Sequence, residues 1–134
     1  MAFKNPGSTV DIIVEREGKI LLVKRKNPPY KGMWAIPGGF IEYGKETLEQ
    51  AAKRELKEET CLDALKLELM GVYSEPKRDP RGHVISHVYA AKTRGTAKAS
   101  DDAKELQFFP LSNLPALAFD HKKIISDYQI WREK

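Results

Sequence analysis

The chain has 134 residues, enough for one domain with a hydrophobic core that needs no staples. It is 41% hydrophobic and 31% charged, with a net charge of +4 and one cysteine, Cys61. This excludes an internal disulfide, and no apolar run approaches the ~20 residues of a membrane-spanning helix. Val10–Arg16 and Lys19–Arg25 are β-rich runs joined by Glu17-Gly18, which predicts a hairpin. NPPYKG, residues 27–32, reads as a loop. Trp34–Ile36 is a short strand stopped by Pro37-Gly38-Gly39, and Phe40–Tyr43 is expected as another. The period then changes. Leu48, Ala51, Ala52 and Leu56 follow helical spacing, and Thr47 with Gln50 forms a capping box, so a helix is expected over 48–59. Glu49 and Lys53 make a favourable i, i+4 pair on its outside. Leu67–Ser74 and Val84–Thr93 are strands separated by the charged loop EPKRDPRGH. A second polar loop covers 94–105, Leu106–Pro110 is a short strand, and His121–Lys134 is a closing helix. Strands around two helices, with no repeat and no long linker, predict a mixed α/β fold in one domain.

The opening MAFKNPGSTV lacks the apolar stretch of a signal peptide, and a lone cysteine fits a reducing compartment. A cytoplasmic location without membrane attachment is expected. The positive charge favours anionic partners. Basic residues are scattered and not interleaved with aromatics, so a small phosphorylated ligand is expected and a nucleic acid is not.

RELKEET, residues 54–60, carries the chemistry. Positions i, i+3 and i+4 of a helix share a face, so Glu58 and Glu59 lie beside Glu55. Each like-charge pair costs roughly 0.2–0.5 kcal/mol, and the C-terminal pole of the helix disfavours acids further. An oxygen-only trio of this kind suits a hard divalent cation, magnesium or manganese. A solvated polar face is the plainer alternative for three glutamates alone. Arg54 can pair with Glu46 or Glu58 and hold one in place. The Pro-Gly-Gly turn can bring backbone carbonyls to the same point.

PGGFIEYGKETLEQAAKRELKEET resembles the Nudix box, the strand–loop–helix signature of Nudix hydrolases. Glu46, Arg54, Glu55, Leu56, Glu58, Glu59 and Leu62 match its pattern. Two positions depart from it. Six residues separate Gly39 from Glu46 where the family has five, which places an inserted residue near Lys45. Cys61 replaces the glycine that follows the helix, so a different terminal turn is expected there. The resemblance implies a Nudix-like α/β/α sandwich with a mixed β-sheet, and attack of water on a nucleoside diphosphate linked to another group. It implies Glu55, Glu58 and Glu59 as metal ligands, with the Gly39 carbonyl as a weaker one and Glu46 and Arg54 as orienting residues.

The flanks RKNPPYKGMWAIPGGF, VYSEPKRDPRGHVISHVY and DDAKELQFFPLSNLPALAFDH resemble the ADP-ribose pyrophosphatase branch. That branch implies cleavage of ADP-ribose to AMP and ribose 5-phosphate, and is often a homodimer. Arg25, Arg78 and Arg81 are candidate substrate contacts, since arginine forks match phosphate oxygens; Arg25 could equally be an exposed strand-end charge, and Arg78 and Arg81 each read more simply as part of a solvated basic loop. His83, a lone histidine beside a strand, reads more simply as structural than as a working group of the site. Glu105 is the preferred general base outside the helix and Glu55 its competitor, while Asp101 and Asp102 are either further acids of the site or turn-formers. Trp34, Tyr43 and Phe119 could stack on adenine or serve the core. Two rival functions stand beside this one: a nucleoside-triphosphate pyrophosphohydrolase, and a non-catalytic nucleotide sensor, which in this family usually carries an added DNA-binding domain.

Overall fold

The computed structural model describes residues 4–99 and 105–134, which form eight strands and two helices. The turn at Glu17 and Gly18 forms as expected, with φ of 53° and 74°, the double positive φ of a tight two-residue hairpin. The strand before it is not one strand. Val10–Arg16 divides into β1 (Gly7–Ile13) and β2 (Glu15–Arg16), which join different sheets. Residues 10–14 are all buried, so their side-chain pattern gives no sign of the break.

β1 runs parallel to β7 (Val84–Arg94), in register from Gly7 opposite Val84 to Ile13 opposite Ala90. β5 (Gly38–Phe40) flanks β1 and β6 (Asp63–Tyr73) flanks β7, both antiparallel, completing a mixed sheet. The second sheet is antiparallel. Its spine is β3 (Lys19–Lys24), paired with β2, with β4 (Trp34–Ala35) and with β8 (Leu106–Pro110). Gly38 and Gly39, expected as a strand stop, are themselves strand, and Ile41–Tyr43 are not. The cause is close approach. A Cβ on Gly38 would stand 2.1 Å from the Val10 carbonyl oxygen, so only glycine lets β5 reach β1. β6 also begins four residues before the expected Leu67, because Asp63 and Ala64 extend the pairing to Arg94 and Thr93.

Helix α1 (Leu48–Thr60) is closed at its start by the expected capping box. At its end Cys61 adopts the left-handed conformation itself, φ 65° and ψ 7°, and its N–H bonds the Lys57 carbonyl. The expected different turn is therefore not used: the backbone keeps the shape a glycine would take. α2 (His121–Trp131) ends three residues before the expected Lys134.

Alternation along the strands builds the layers. Val10, Ile12, Val14 and Leu21 pack with Ala51, Ala52 and Leu56 of α1. Their neighbours Ile13, Ile20 and Leu22 pack with Ile124, Ile125 and Tyr128 of α2. The sheets thus lie between two helices, as expected of an α/β/α sandwich. No helix among the described residues is long and apolar enough to cross a membrane.

Candidate active site

The acid-rich face of α1 is organised by Arg54. Its guanidinium donates to both carboxylate oxygens of Glu46, Nη2 to Oε1 at 2.7 Å and Nε to Oε2 at 3.0 Å. Nη1 donates to Glu55 at 2.8 Å and Glu58 at 3.2 Å, and Nη2 also reaches the Phe40 carbonyl at 3.2 Å. One half-buried cation thus offsets the crowding of acids that the sequence places there. The hydrogen bonds to Glu46, and secondarily to Glu55, hold the guanidinium even more firmly charged than usual, and Glu46 is lowered mainly by its bond to Arg54. The residue inserted near Lys45 is absorbed in an exposed turn: the Lys45 N–H bonds the Glu42 carbonyl and Gly44 takes φ 73°. Glu46 still reaches Arg54, and accepts the Glu42 N–H at 2.8 Å.

Glu59 is buried and accepts the Gly38 N–H at 3.3 Å, tying α1 to β5. A Cβ on Gly39 would lie 2.6 Å from the Glu55 carboxyl, so glycine alone lets carboxylate and backbone approach. Glu58 is largely exposed. Among the described residues no three acidic, histidine or cysteine side chains already converge as they would around an ion. The donors available at this edge, Glu55, Glu58, Glu59 and the Gly39 backbone, are all oxygen, and this chemistry fits a hard divalent cation.

Beside this edge is a pocket of about 200 Å³. Gly38, Gly39, Phe40 and Glu59 form one side, Arg25, Arg78 and Arg81 line it, and Phe119 and His121 are on its wall. The three arginines expected at the site are therefore together, but differently committed. Arg78 is almost fully buried and clamped to Asp120 by bonds of 2.6 and 2.8 Å. Arg81 forks onto Asp79, Nη2 to Oδ2 at 2.7 Å and Nε to Oδ1 at 3.0 Å. Arg25 donates to the Pro29 carbonyl at 2.7 Å; burial, then the charge of Arg81, lowers its pKa.

The remaining candidates lie elsewhere. Glu105 is exposed and 3.9 Å from Lys24, outside the pocket wall. Asp101 and Asp102 lie outside the described residues. Tyr43 is almost wholly exposed, Trp34 packs edge-on against Phe109, and His83 lies against the Ser74 carbonyl, 3.1 Å away.

Three groups on the pocket wall escape sequence reasoning. Asp11 is buried and accepts the Ser86 hydroxyl. Asp79 is buried; burial alone would raise its pKa, but the Arg81 side chain and the Arg81 N–H hold it below the usual range. His121 is wholly buried and its Nδ1 accepts the Ile36 N–H at 3.0 Å. Asp11 had a signal, one charge inside the apolar run VDIIV. Asp79 and His121 had none.

A family model described as NUDIX domain matches residues 5–128. A Methanocaldococcus jannaschii protein named ADP-ribose pyrophosphatase is 57% identical over 131 residues, 97% of this chain and 77% of that protein. The structure of the NUDIX domain of Shewanella oneidensis NrtR complexed with ADP ribose superposes with a TM-score of 0.87 at 30% identity, covering 98% of this chain and 91% of that one. A bifunctional NMN adenylyltransferase/ADP ribose pyrophosphatase from Francisella tularensis, complexed with AMP and a manganese ion, aligns with a TM-score of 0.81 at 33% identity, over 97% of this chain and 43% of that one.

Proposed function

The chain belongs to the Nudix family, and from that premise we propose that it hydrolyses ADP-ribose to AMP and ribose 5-phosphate with a magnesium or manganese ion. It is a Nudix hydrolase, acting on a diphosphate anhydride. One observation carries the reading: the oxygen-donor edge of α1 and β5 opens directly onto an arginine-lined pocket through Gly39 and Glu59. The likeness to the archaeal ADP-ribose pyrophosphatase supports the choice of substrate.

Glu55, Glu58, Glu59 and the Gly39 carbonyl would hold the cation. When bound, it supplies neutralisation of the diphosphate charge and a more acidic attacking water. Arg54 positions Glu55 and Glu58 and is itself fixed by Glu46. Arg25 and Arg81 offer guanidinium groups to the phosphates. Arg78, held by Asp120, shapes the wall. Glu105 lies outside the pocket wall beside Lys24, which does not favour it as the base, while Glu55, bonded to Arg54 and assigned to the cation, abuts Gly39 at the pocket edge.

A substrate panel with Mg²⁺ tests this. AMP and ribose 5-phosphate should form in equal amounts from ADP-ribose. Release of inorganic diphosphate from nucleoside triphosphates, with ADP-ribose untouched, would replace this reading with that of a triphosphate pyrophosphohydrolase.

A further inference from the structure

Phe119 is held in the left-handed region with φ 53°, a conformation that bulky residues rarely adopt. Such strain persists only where the surroundings enforce it. Tyr30 meets the Phe119 ring edge-on with centroids 4.9 Å apart, and His121 lies tilted against it at 5.4 Å. The Arg25 guanidinium is 5.0 Å from its centroid. Arg81 also faces the ring, its guanidinium carbon 5.4 Å from the Phe119 centroid and 5.0 Å from that of Phe40. Phe40 belongs to β5 and Phe119 precedes α2, and both line the pocket. Arg81 therefore contacts two aromatic rings from different parts of the fold, while the buried Asp79 carboxylate fixes its fork.

We propose that the space between Phe40 and Phe119 is a nucleobase slot, and that Arg81 plugs it and must be displaced by an incoming base. This rests on the reading that the substrate is a nucleoside diphosphate derivative. A guanidinium is flat and stacks on aromatic faces as a base does, so each can take the other's place. A phosphate also binds an arginine fork bidentately, as Asp79 does. A nucleotide thus brings both the base that fills the slot and the anion that draws Arg81 out of it. A nucleoside brings only the base and must compete with the plug. The slot selects phosphorylated ligands through an arginine that gives way to them.

Calorimetric titration with adenosine, AMP and ribose 5-phosphate, without metal, tests the plug apart from catalysis. Adenosine should bind Arg81→Ala and Arg81→Lys at least about fivefold more tightly than the unmodified protein, roughly the effect of 1 kcal/mol. The lysine variant keeps a charge for Asp79, and a thermal melt identifies any variant that has not folded. Phe40→Leu and Phe119→Leu should weaken AMP by a similar factor and leave ribose 5-phosphate unchanged. Adenosine affinity that is unchanged, weakened or unmeasurable in both Arg81 variants overturns the plug. Equal losses for AMP and ribose 5-phosphate in the phenylalanine variants overturn the base slot. Hydrolysis of ADP-ribose is scored separately: if it fails while these ratios hold, the substrate reading falls and the plug stands.

Discussion

Glu58 and Arg54 show how one residue can matter through charge alone. Glu58 is exposed, and Glu58→Gln keeps its shape while removing a charge from the donor edge. Activity on ADP-ribose should fall at least about a hundredfold with the melting temperature nearly unchanged, since such electrostatic contacts usually carry that share of catalysis. Comparison of kcat/KM with a thermal melt checks both halves; near-normal turnover contradicts the assignment. Arg54→Ala differs in kind. It leaves the crowded carboxylates of Glu46, Glu55 and Glu58 without their shared donor, so both melting temperature and activity should drop. Arg54→Lys should recover little, because one ammonium cannot reproduce a fork that serves four groups. These residues were legible in the sequence because helical spacing fixes which side chains share a face. His121 and the pairing of Phe40 with Phe119 were not, because each acquires its role from contacts across the fold, whereas Asp79 is fixed by Arg81 two residues on and its burial left no mark in the sequence.

At the scale of elements, α1 ends are the informative test. Thr47→Ala removes the cap that accepts the Gln50 N–H, and should cost about 1 kcal/mol in urea denaturation. Cys61→Gly should stabilise. Relief of the left-handed strain is worth about 1–2 kcal/mol, and the added freedom of the unfolded chain returns about 0.4–1 of it. A net gain of roughly 0.5–1 kcal/mol is the expected result, and a loss would show that the thiol has a packing role. The helix was readable almost to the residue because its period and caps are local. The breaks at Val14 and at Gly38 were not: the first hides in a run buried on both faces, and the second depends on the Val10 carbonyl of another strand.

The whole molecule registers pH through His121, which joins α2 to the residue after β4. Burial favours its neutral form and lowers its pKa below the ordinary 6.5. The unfolded chain therefore binds a proton in a window where the folded chain does not. Stability contributed by this group is complete above about pH 6.5 and is lost as pH falls toward the lowered value. Melting temperature should decline from pH 6.5 downward, before the lowered carboxylates Asp79, Asp127 and Glu15 titrate. His121→Asn, which can still accept the Ile36 N–H, should flatten that decline; an unchanged slope would assign it elsewhere. The α/β class followed from alternation and period, but the division into two sheets did not, because Glu15-Arg16 continue a strand pattern while changing partners.

The most direct test of the central claim is a manganese titration followed by electron paramagnetic resonance. The free-ion signal should be quenched saturably by the unmodified protein, with affinity reduced at least about tenfold in Glu55→Gln and Glu59→Gln and unchanged in Glu49→Gln, whose carboxylate faces Tyr89 instead. Equal quenching by all four proteins would mean that the acids of α1 do not hold the ion.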